Sequence, residues 1–309
     1  VNRILVIDKP RGLTSHDVVA RVRRITGVQK VGHAGTLDPA ATGVLVVLVG
    51  KATRLAQYFV DLEKRYHGRV VLGVTTHTQD SEGNVESTAD VSGVTRPQIE
   101  EAFAAFEGET EQIPPMVSAL KRDGTPLYVL ARRGEVVERA PRRITISELR
   151  VLSVEMPEVE FEMTCSRGTY VRTVAADIGE RLGCGAHLGK LVRTAVGPFH
   201  VDDATSLDEL ARALADAEGV GHSMYDALSF MPEVRVTERE EDALSTGGAI
   251  DIDLERLGNH VGSFVRLSTD GSELVAVGRR VQASPGNGGA AAAPDKIRIQ
   301  PVRVFVEPV

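Results

Sequence analysis

The segment Gly32 to Gly43, GHAGTLDPAATG, holds the side chains and spacing best suited to chemistry. Its three glycines permit a backbone that bends sharply and approaches a ligand closely. Asp38 stands before Pro39, which biases it to extended backbone and keeps its carboxylate out of a helix. An exposed carboxylate of this kind offers nucleophilic or general-base chemistry. On pattern alone an Asp-Pro pair is more often a turn, so these residues by themselves specify a loop with an exposed Asp. His33, in the same segment, reads as a loop hydrogen bonder or a metal ligand. No Cys or second His lies near it at ligand spacing, which argues against the metal.

The elements around this loop are legible. Arg3 to Ile7 reads as a strand, closed by the turn Lys9-Pro10-Arg11-Gly12. Thr14 or Ser15 can cap a helix with Val18, Val19, Val22 and Ile25 at helical spacing and Arg21, Arg23 and Arg24 on its other face. Val44 to Val49 is an unbroken apolar run, typical of a strand buried on both faces. The chemistry-bearing loop thus sits between a basic helix and a buried strand, where a rigid scaffold presents working side chains. Tyr66 to Val74 is a further strand, in which Tyr66 by pattern is a core aromatic. Thr95 with Gln98 opens a helix, as do Ser206 with Glu209 and Thr237 with Glu240. Residues 112–143 resist assignment, with seven Lys and Arg against three acids between Lys121 and Arg143. Ile144 to Val154 and Val159 to Cys165 are expected to pair. A helix follows Gly168-Thr169 and stops at Gly183. Beyond Met231-Pro232, Phe264 to Leu267 and Glu273 to Val277 are joined across Asp270-Gly271, a hairpin signal. Ala283 to Pro294 reads as a flexible loop, and Ile297 to Val306 as a strand.

The 309 residues suffice for two domains, and 42% apolar with 26% charged residues is an ordinary globular balance. No run approaches 18 apolar residues and the first residues hold no long apolar stretch, so neither a membrane span nor a signal peptide is expected. The opening Val1 fits either an absent initiator Met or an alternative start codon. Cys165 and Cys184 form no CxxC pair. That excludes a disulfide framework and a Cys-based structural zinc site, and suits the cytoplasm. Net charge is −7, yet residues 1–72 carry +7 and residues 121–200 carry +3, against −8 for 73–120 and −9 from 201 onward. The basic residues thus gather where the motifs lie, and a local basic face can attract phosphates. Any single cluster taken alone reads as solvated surface.

GHAGTLDPAATGVL resembles the signature of the TruB family, the bacterial tRNA pseudouridine-55 synthases. IDKPRGLTSHDVV, KRYHGRVVLGVTTHTQDSEG, QIPPMVSALKRDGTPLYVLARRGE and SRGTYVRTVAADIGERLGCGAHLGKLVRTAVGPF match the same family in the same order, over about two thirds of the chain. The resemblance implies isomerisation of a uridine in the tRNA T-loop, with Asp38 as the essential carboxylate. No cofactor or metal is called for, since the reaction consumes no electron, group or water. Whether Asp38 attacks C1′ or C6, or removes a sugar proton, stays open. By the same resemblance Tyr66 stacks on the target base and assists proton removal from C5. Arg172 pairs with the carboxylate, where pattern alone gives a surface arginine, and Tyr170 lines the pocket. His33 fills space vacated in the T-loop stack when the nucleotide is extruded, and Gly35, Thr36 and Leu37 of the same loop belong to substrate binding. Asp80 is RNA-facing or structural, without a chemical role.

By the same resemblance, residues 112–143 are similar to the family's insertion that closes over the T-arm. Lys121, Arg122, Arg132, Arg133, Arg142 and Arg143 are its phosphate-contact candidates, with Lys9, Arg11, Arg21, Arg24 and Lys30 nearer the N-terminus. The expected fold is α+β: a mixed, largely antiparallel sheet flanked by helices in residues 1–231, then a small PUA-like β-barrel in 232–309. The acidity of that tail departs from what a phosphate binder carries, leaving Arg279 and Arg280 as its basic candidates. A monomer acting on tRNA with no obligatory protein partner and no membrane is implied. Two other readings stand beside it: a synthase of the superfamily serving another RNA or a guide complex, and an RNA-folding module with secondary catalysis.

Overall fold

A computed structural model of the chain describes residues 2–216, 219–257, 262–281 and 296–307. Its strands are β1 (Arg3–Lys9), β2 (Val31–Ala34), β3 (Thr42–Val49), β4 (Lys64–Leu72), β5 (Val74–Thr76), β6 (Val85–Thr88), β7 (Gly108–Gln112), β8 (Lys121–Arg122), β9 (Thr125–Pro126), β10 (Arg142–Glu155), β11 (Glu158–Cys165), β12 (Ala186–Val196) and β13 (Phe199–His200). A second group follows: β14 (Glu233–Arg235), β15 (Ile250–Asp253), β16 (Phe264–Ser268), β17 (Leu274–Val281) and β18 (Lys296–Val304). The helices are α1 (Ser15–Thr26), α2 (Ala56–Val60), α3 (Arg96–Ala104), α4 (Leu127–Arg132), α5 (Val171–Arg181), α6 (Leu207–Ala215) and α7 (Glu238–Ser245).

The main sheet runs β1-β3-β12-β4-β11-β10-β7, with β2 added to β3 and β13 to β12. All its pairings are antiparallel except β12 with β3. β3 is the apolar run expected to be buried on both faces, and Val44 to Val49 are fully buried. β2 pairs with β3 through Val46 to Val49, whereas β12 pairs with β3 only at Thr42 and Gly43. The β2–β3 connection, residues 35–41, therefore hangs beside β12. The expected loop from Gly32 onward is shortened by this pairing: Gly32, His33 and Ala34 are strand. Gly43 has φ +95°, and a Cβ there would lie 2.3 Å from the carbonyl oxygen of Arg193. Only glycine lets β3 and β12 meet at the point where the loop rejoins the sheet.

The capping signals place the helices. Thr14 and Asp17 form a capping box at α1, with Gly27 in the left-handed conformation at its end. Ser206 with Glu209 and Thr237 with Glu240 do the same for α6 and α7, and Gln98 accepts the Thr95 N–H ahead of α3. Val18, Val19 and Val22 of α1 pack with Leu207 and Leu210 of α6 on one face of β1 and β3. Ile99, Phe103, Val174 and Ile178, from α3 and α5, pack with Phe161, Val70 and Leu188 of the sheet.

Residues 113–141 leave the sheet after β7 and return as β10, its antiparallel neighbour, with Arg142 opposite Gln112. Between them stand only the two-residue pair β8–β9 and the short helix α4. Pieces this small carry no periodicity, which is why the sequence pattern there is unreadable.

The second sheet, β14-β16-β17-β18-β15, curls into a half-barrel around Val234, Leu244, Val265, Leu267, Val275 and Ile299. β16 and β17 join across Asp270-Gly271 as the hairpin signal predicts. Leu274, Val277 and Phe305 also share a cluster with Val44 and Val46 of the first sheet and Phe59 of α2. The expected loop at 283–294 lies outside the described residues.

Candidate active site

The loop 35–41 is fastened at nearly every residue. Ser15 Oγ accepts the Leu37 N–H at 2.9 Å and donates to the Leu37 carbonyl at 3.1 Å. Thr14 is the helix cap, which frees Ser15 for this task. Gly12 N–H donates to the Pro39 carbonyl at 2.8 Å. Arg193, only 1% exposed, donates from Nη2 to Gly35 O at 3.0 Å and from Nη1 to Thr36 O at 3.4 Å, while its Nε holds Val44 O at 2.8 Å.

Lys9, expected as a phosphate contact, is fully buried. Its ammonium donates to the carbonyls of Leu13, Pro10 and Pro39 at 2.6, 3.0 and 3.3 Å. Burial pushes its pKa down to about 8 against the nearby Asp38 carboxylate, which favours the charged form. Its role is to brace the loop, and a backbone phosphate has no access to it. A lysine in a turn reads as surface in sequence because burial here is imposed by a loop 30 residues away.

Asp38, 41% exposed, projects from the fastened loop into a cavity of about 300 Å3. Arg172, 4% exposed, donates from Nε to Asp38 Oδ2 at 2.8 Å across 134 residues of chain. Its Nη1 reaches Thr78 O at 2.8 Å and its Nη2 reaches Val117 O at 2.9 Å. Arg172 therefore faces the carboxylate, and the surface reading of it is wrong. Asp80 stands closer to the Asp38–Arg172 pair than its sequence context suggests: its Oδ2 lies 3.6 Å from Arg172 Nε, and its Oδ1 accepts from Thr78 Oγ1 at 2.6 Å and Glu82 N–H at 3.1 Å. Charge-assisted bonds of this sort orient as well as attract.

Tyr66 is both the core aromatic that its pattern gives and a wall of the same cavity. Burial raises its pKa, as it does for Tyr170, which precedes α5 and also lines the cavity. The Gln112 side chain clamps the Tyr170 backbone, accepting its N–H at 2.8 Å and donating to its carbonyl at 3.1 Å. Gly35, Thr36 and Leu37 form the rim beside Asp38. His33 is half-buried in β2, its pKa lowered by burial, with its Nδ1 unpaired. It does not line the cavity that holds Asp38. Arg132 packs over the Tyr128 ring at 5.6 Å in α4, Arg133 ends that helix exposed, and Arg142 is exposed at the first position of β10.

Lys64 and Arg193 are cavity-lining residues that the motifs did not single out. Strand alternation could have found Lys64, two residues before Tyr66 and so on its face. An arginine inside the apolar alternation LVRTAV is the corresponding signal for Arg193.

Residues 23–171 match the model of the TruB family pseudouridylate synthase N-terminal domain, and residues 172–229 match that of the tRNA pseudouridylate synthase B C-terminal domain. A tRNA pseudouridine synthase B of Syntrophotalea carbinolica is 49% identical over 237 residues, which cover 76% of this chain and 78% of that protein. One from Opitutus terrae is 50% identical over 207 residues, covering 67% and 86%. Among solved structures, a chain of a Cbf5-Nop10-Gar1 complex superposes with TM-score 0.74 at 28% identity, covering 99% of this chain and 85% of that one.

Proposed function

The chain belongs to the TruB family of pseudouridylate synthases, and from that premise we propose that it isomerises a uridine of the tRNA T-loop, at position 55, with Asp38 as the catalytic carboxylate. Formation of pseudouridine in tRNA is the activity that its relatives' names carry. The observation that supports the finer reading is the Asp38–Arg172 pair: a half-exposed carboxylate on a loop locked from below, oriented by a buried guanidinium at 2.8 Å, at the mouth of a cavity.

The reaction breaks the N1–C1′ bond, turns the base and rejoins it through C5. Asp38 supplies the electron pair that opens this sequence, at the sugar or at the ring. Arg172 fixes the direction of that carboxylate. Tyr66 and Tyr170 offer flat faces beside it for an extruded base, since a base held in the stack cannot present its ring to a side chain inside a cavity. In this reading His33, on the strand that leads into the loop, fills the gap left in the RNA.

Residues 113–141 border the cavity through Ser118, Ala119 and Leu120 and touch Arg172 through Val117 O. This contact supports a clamp over the T-arm, with Arg132, Arg133 and Arg142 toward phosphates. We take residues 1–231 as the unit that carries the site and 232–309 as a PUA-like unit, in a monomer needing no protein partner.

Release of tritium from C5-labelled uridine in a minimal T-arm hairpin, with nothing else added, tests activity and substrate together. Asp38→Asn and Asp38→Ala are expected to bind that hairpin normally while turnover falls by roughly a thousandfold or more. Near-normal turnover by either variant would overturn the assignment.

A further inference from the structure

Beneath the cavity lie two buried cations to which the reaction as outlined gives no task. Arg193 of β12 stands directly opposite Tyr66 of β4 in the strand register, and Lys64 is two residues before Tyr66 on the same face. Both side chains converge under Gly35: a Cβ on that residue would lie 3.7 Å from Arg193 Nη1 and 3.9 Å from Lys64 Cε. Lys64 is 6% exposed and donates to the carbonyls of Val60 and Leu62, while Arg193 holds the three loop and strand carbonyls already described. Among the described residues neither forms an ion pair with a carboxylate.

Such an arrangement is unfavourable for the fold alone. Two like charges are taken out of water side by side, offset by carbonyl dipoles, the Tyr66 hydroxyl at Arg193 and a weaker pull from Asp61 on Lys64, with no carboxylate bonded to either. Burial, and after it the neighbouring Arg193, pushes the Lys64 pKa down to about 8. A neutral hydrogen-bond donor could cap the same carbonyls at lower cost. What the pair adds is net positive charge lining the cavity on side chains that are themselves buried, where a charge acts with more force than in solution.

We propose that Lys64 and Arg193 form a cationic floor that stabilises the negative charge gathering on the uracil ring as it separates from the ribose. The proposal rests on the pseudouridine reading above. When the N1–C1′ bond breaks, its electron pair stays with the base, spread over N1, O2 and O4. When C5 then bonds to C1′, that pair is returned and the C5 proton passes to N1. No atom or electron is gained or lost over the cycle. The cost is concentrated in the anion between the two steps, and fixed positive charge nearby lowers it.

Single-turnover cleavage of the N1–C1′ bond in a T-arm hairpin tests this, with uridine or 5-fluorouridine at the target. The probe variant is Lys64→Gln, which keeps N–H donors for Val60 and Leu62 and removes the charge. We expect its rate on uridine to fall roughly tenfold to a hundredfold with unchanged hairpin affinity. The deficit should be several times smaller on 5-fluorouridine, because fluorine withdraws electrons and the base carries the charge more readily by itself. Lys64→Arg should restore most of the rate. Should Lys64→Gln unfold, Lys64→Met gives the same readout. Equal deficits on the two substrates, or wild-type rates without the charge, would overturn the floor. Wild-type turnover in the same assay reports separately on the reaction: if the uridine stays intact, the functional reading itself falls.

Discussion

The loop region and the C-terminal half-barrel handle cations in opposite ways. Around the cavity, Lys9, Lys64 and Arg193 are all buried and all bonded to backbone carbonyls, while Arg172 faces the Asp38 and Asp80 carboxylates. In and around the second sheet, five cations face carboxylates: Arg256 with Glu240, Arg298 with Asp251, Arg266 and Arg235 with Glu233, and Lys296 with Asp253. Carbonyl dipoles hold a cation in place without cancelling it, whereas a carboxylate at 3 Å cancels most of its field. The first region therefore keeps a positive potential in its interior, and the second surrenders its own at the surface. The same chain can thus be acidic overall and still present a site suited to anionic substrate.

The strongest way to break this comparison is Arg193→Met. It leaves the Gly35, Thr36 and Val44 carbonyls without their donor, and each such buried group costs about 1–3 kcal/mol. A loss of about 3 kcal/mol in urea unfolding is expected, with isomerisation falling further than the folded fraction explains. Unaltered stability would mean that the loop does not depend on the buried guanidinium.

Charge reversal of Arg132 and Arg133 sharpens the contrast from outside the cavity. Hairpin affinity should fall roughly tenfold and its logarithmic salt slope should flatten by about two, one per lost phosphate contact. Affinity unchanged across several salt concentrations would remove the 113–141 segment from the RNA interface.

Solution pH separates the two regions more gently. Lys9 and Lys64 have folded pKa values near 8, below the 10.5 of the unfolded chain. Between those values the unfolded state binds more protons, so stability should rise as pH climbs from about 8 to 10. Glu240 follows the same sign in an acid window. Its bond from Arg256 holds it at about 2 rather than 4.5, so its contribution is complete above 4.5 and lost as pH falls through 2. Amide exchange followed by residue should show the alkaline gain in β3 and β4 and the acid loss near α7.

The smallest effect belongs to Arg298→Ala. The pair with Asp251 is bidentate at 3.0 and 3.1 Å but half-exposed, and exposed pairs contribute about 0–1 kcal/mol. A loss above about 1 kcal/mol on thermal unfolding would erase the contrast drawn here.

The sequence by itself determined what depends on neighbours. The capping boxes at Thr95, Ser206 and Thr237, the apolar strand Val44 to Val49 and the Asp270-Gly271 hairpin are all short-range devices, and each is found where its residues put it. Asp38 was visible as an exposed acid, but its pairing with Arg172 entered only through likeness to a family, since no local pattern links residues 134 apart. Tertiary structure alone decided that Lys9 is a brace rather than a phosphate contact, that Asp80 stands behind Arg172, and that Lys64 and Arg193 meet under Gly35. The reason is physical. Backbone preference and apolar period act over a few residues, whereas burial and charge are set by whatever distant segment closes over a side chain.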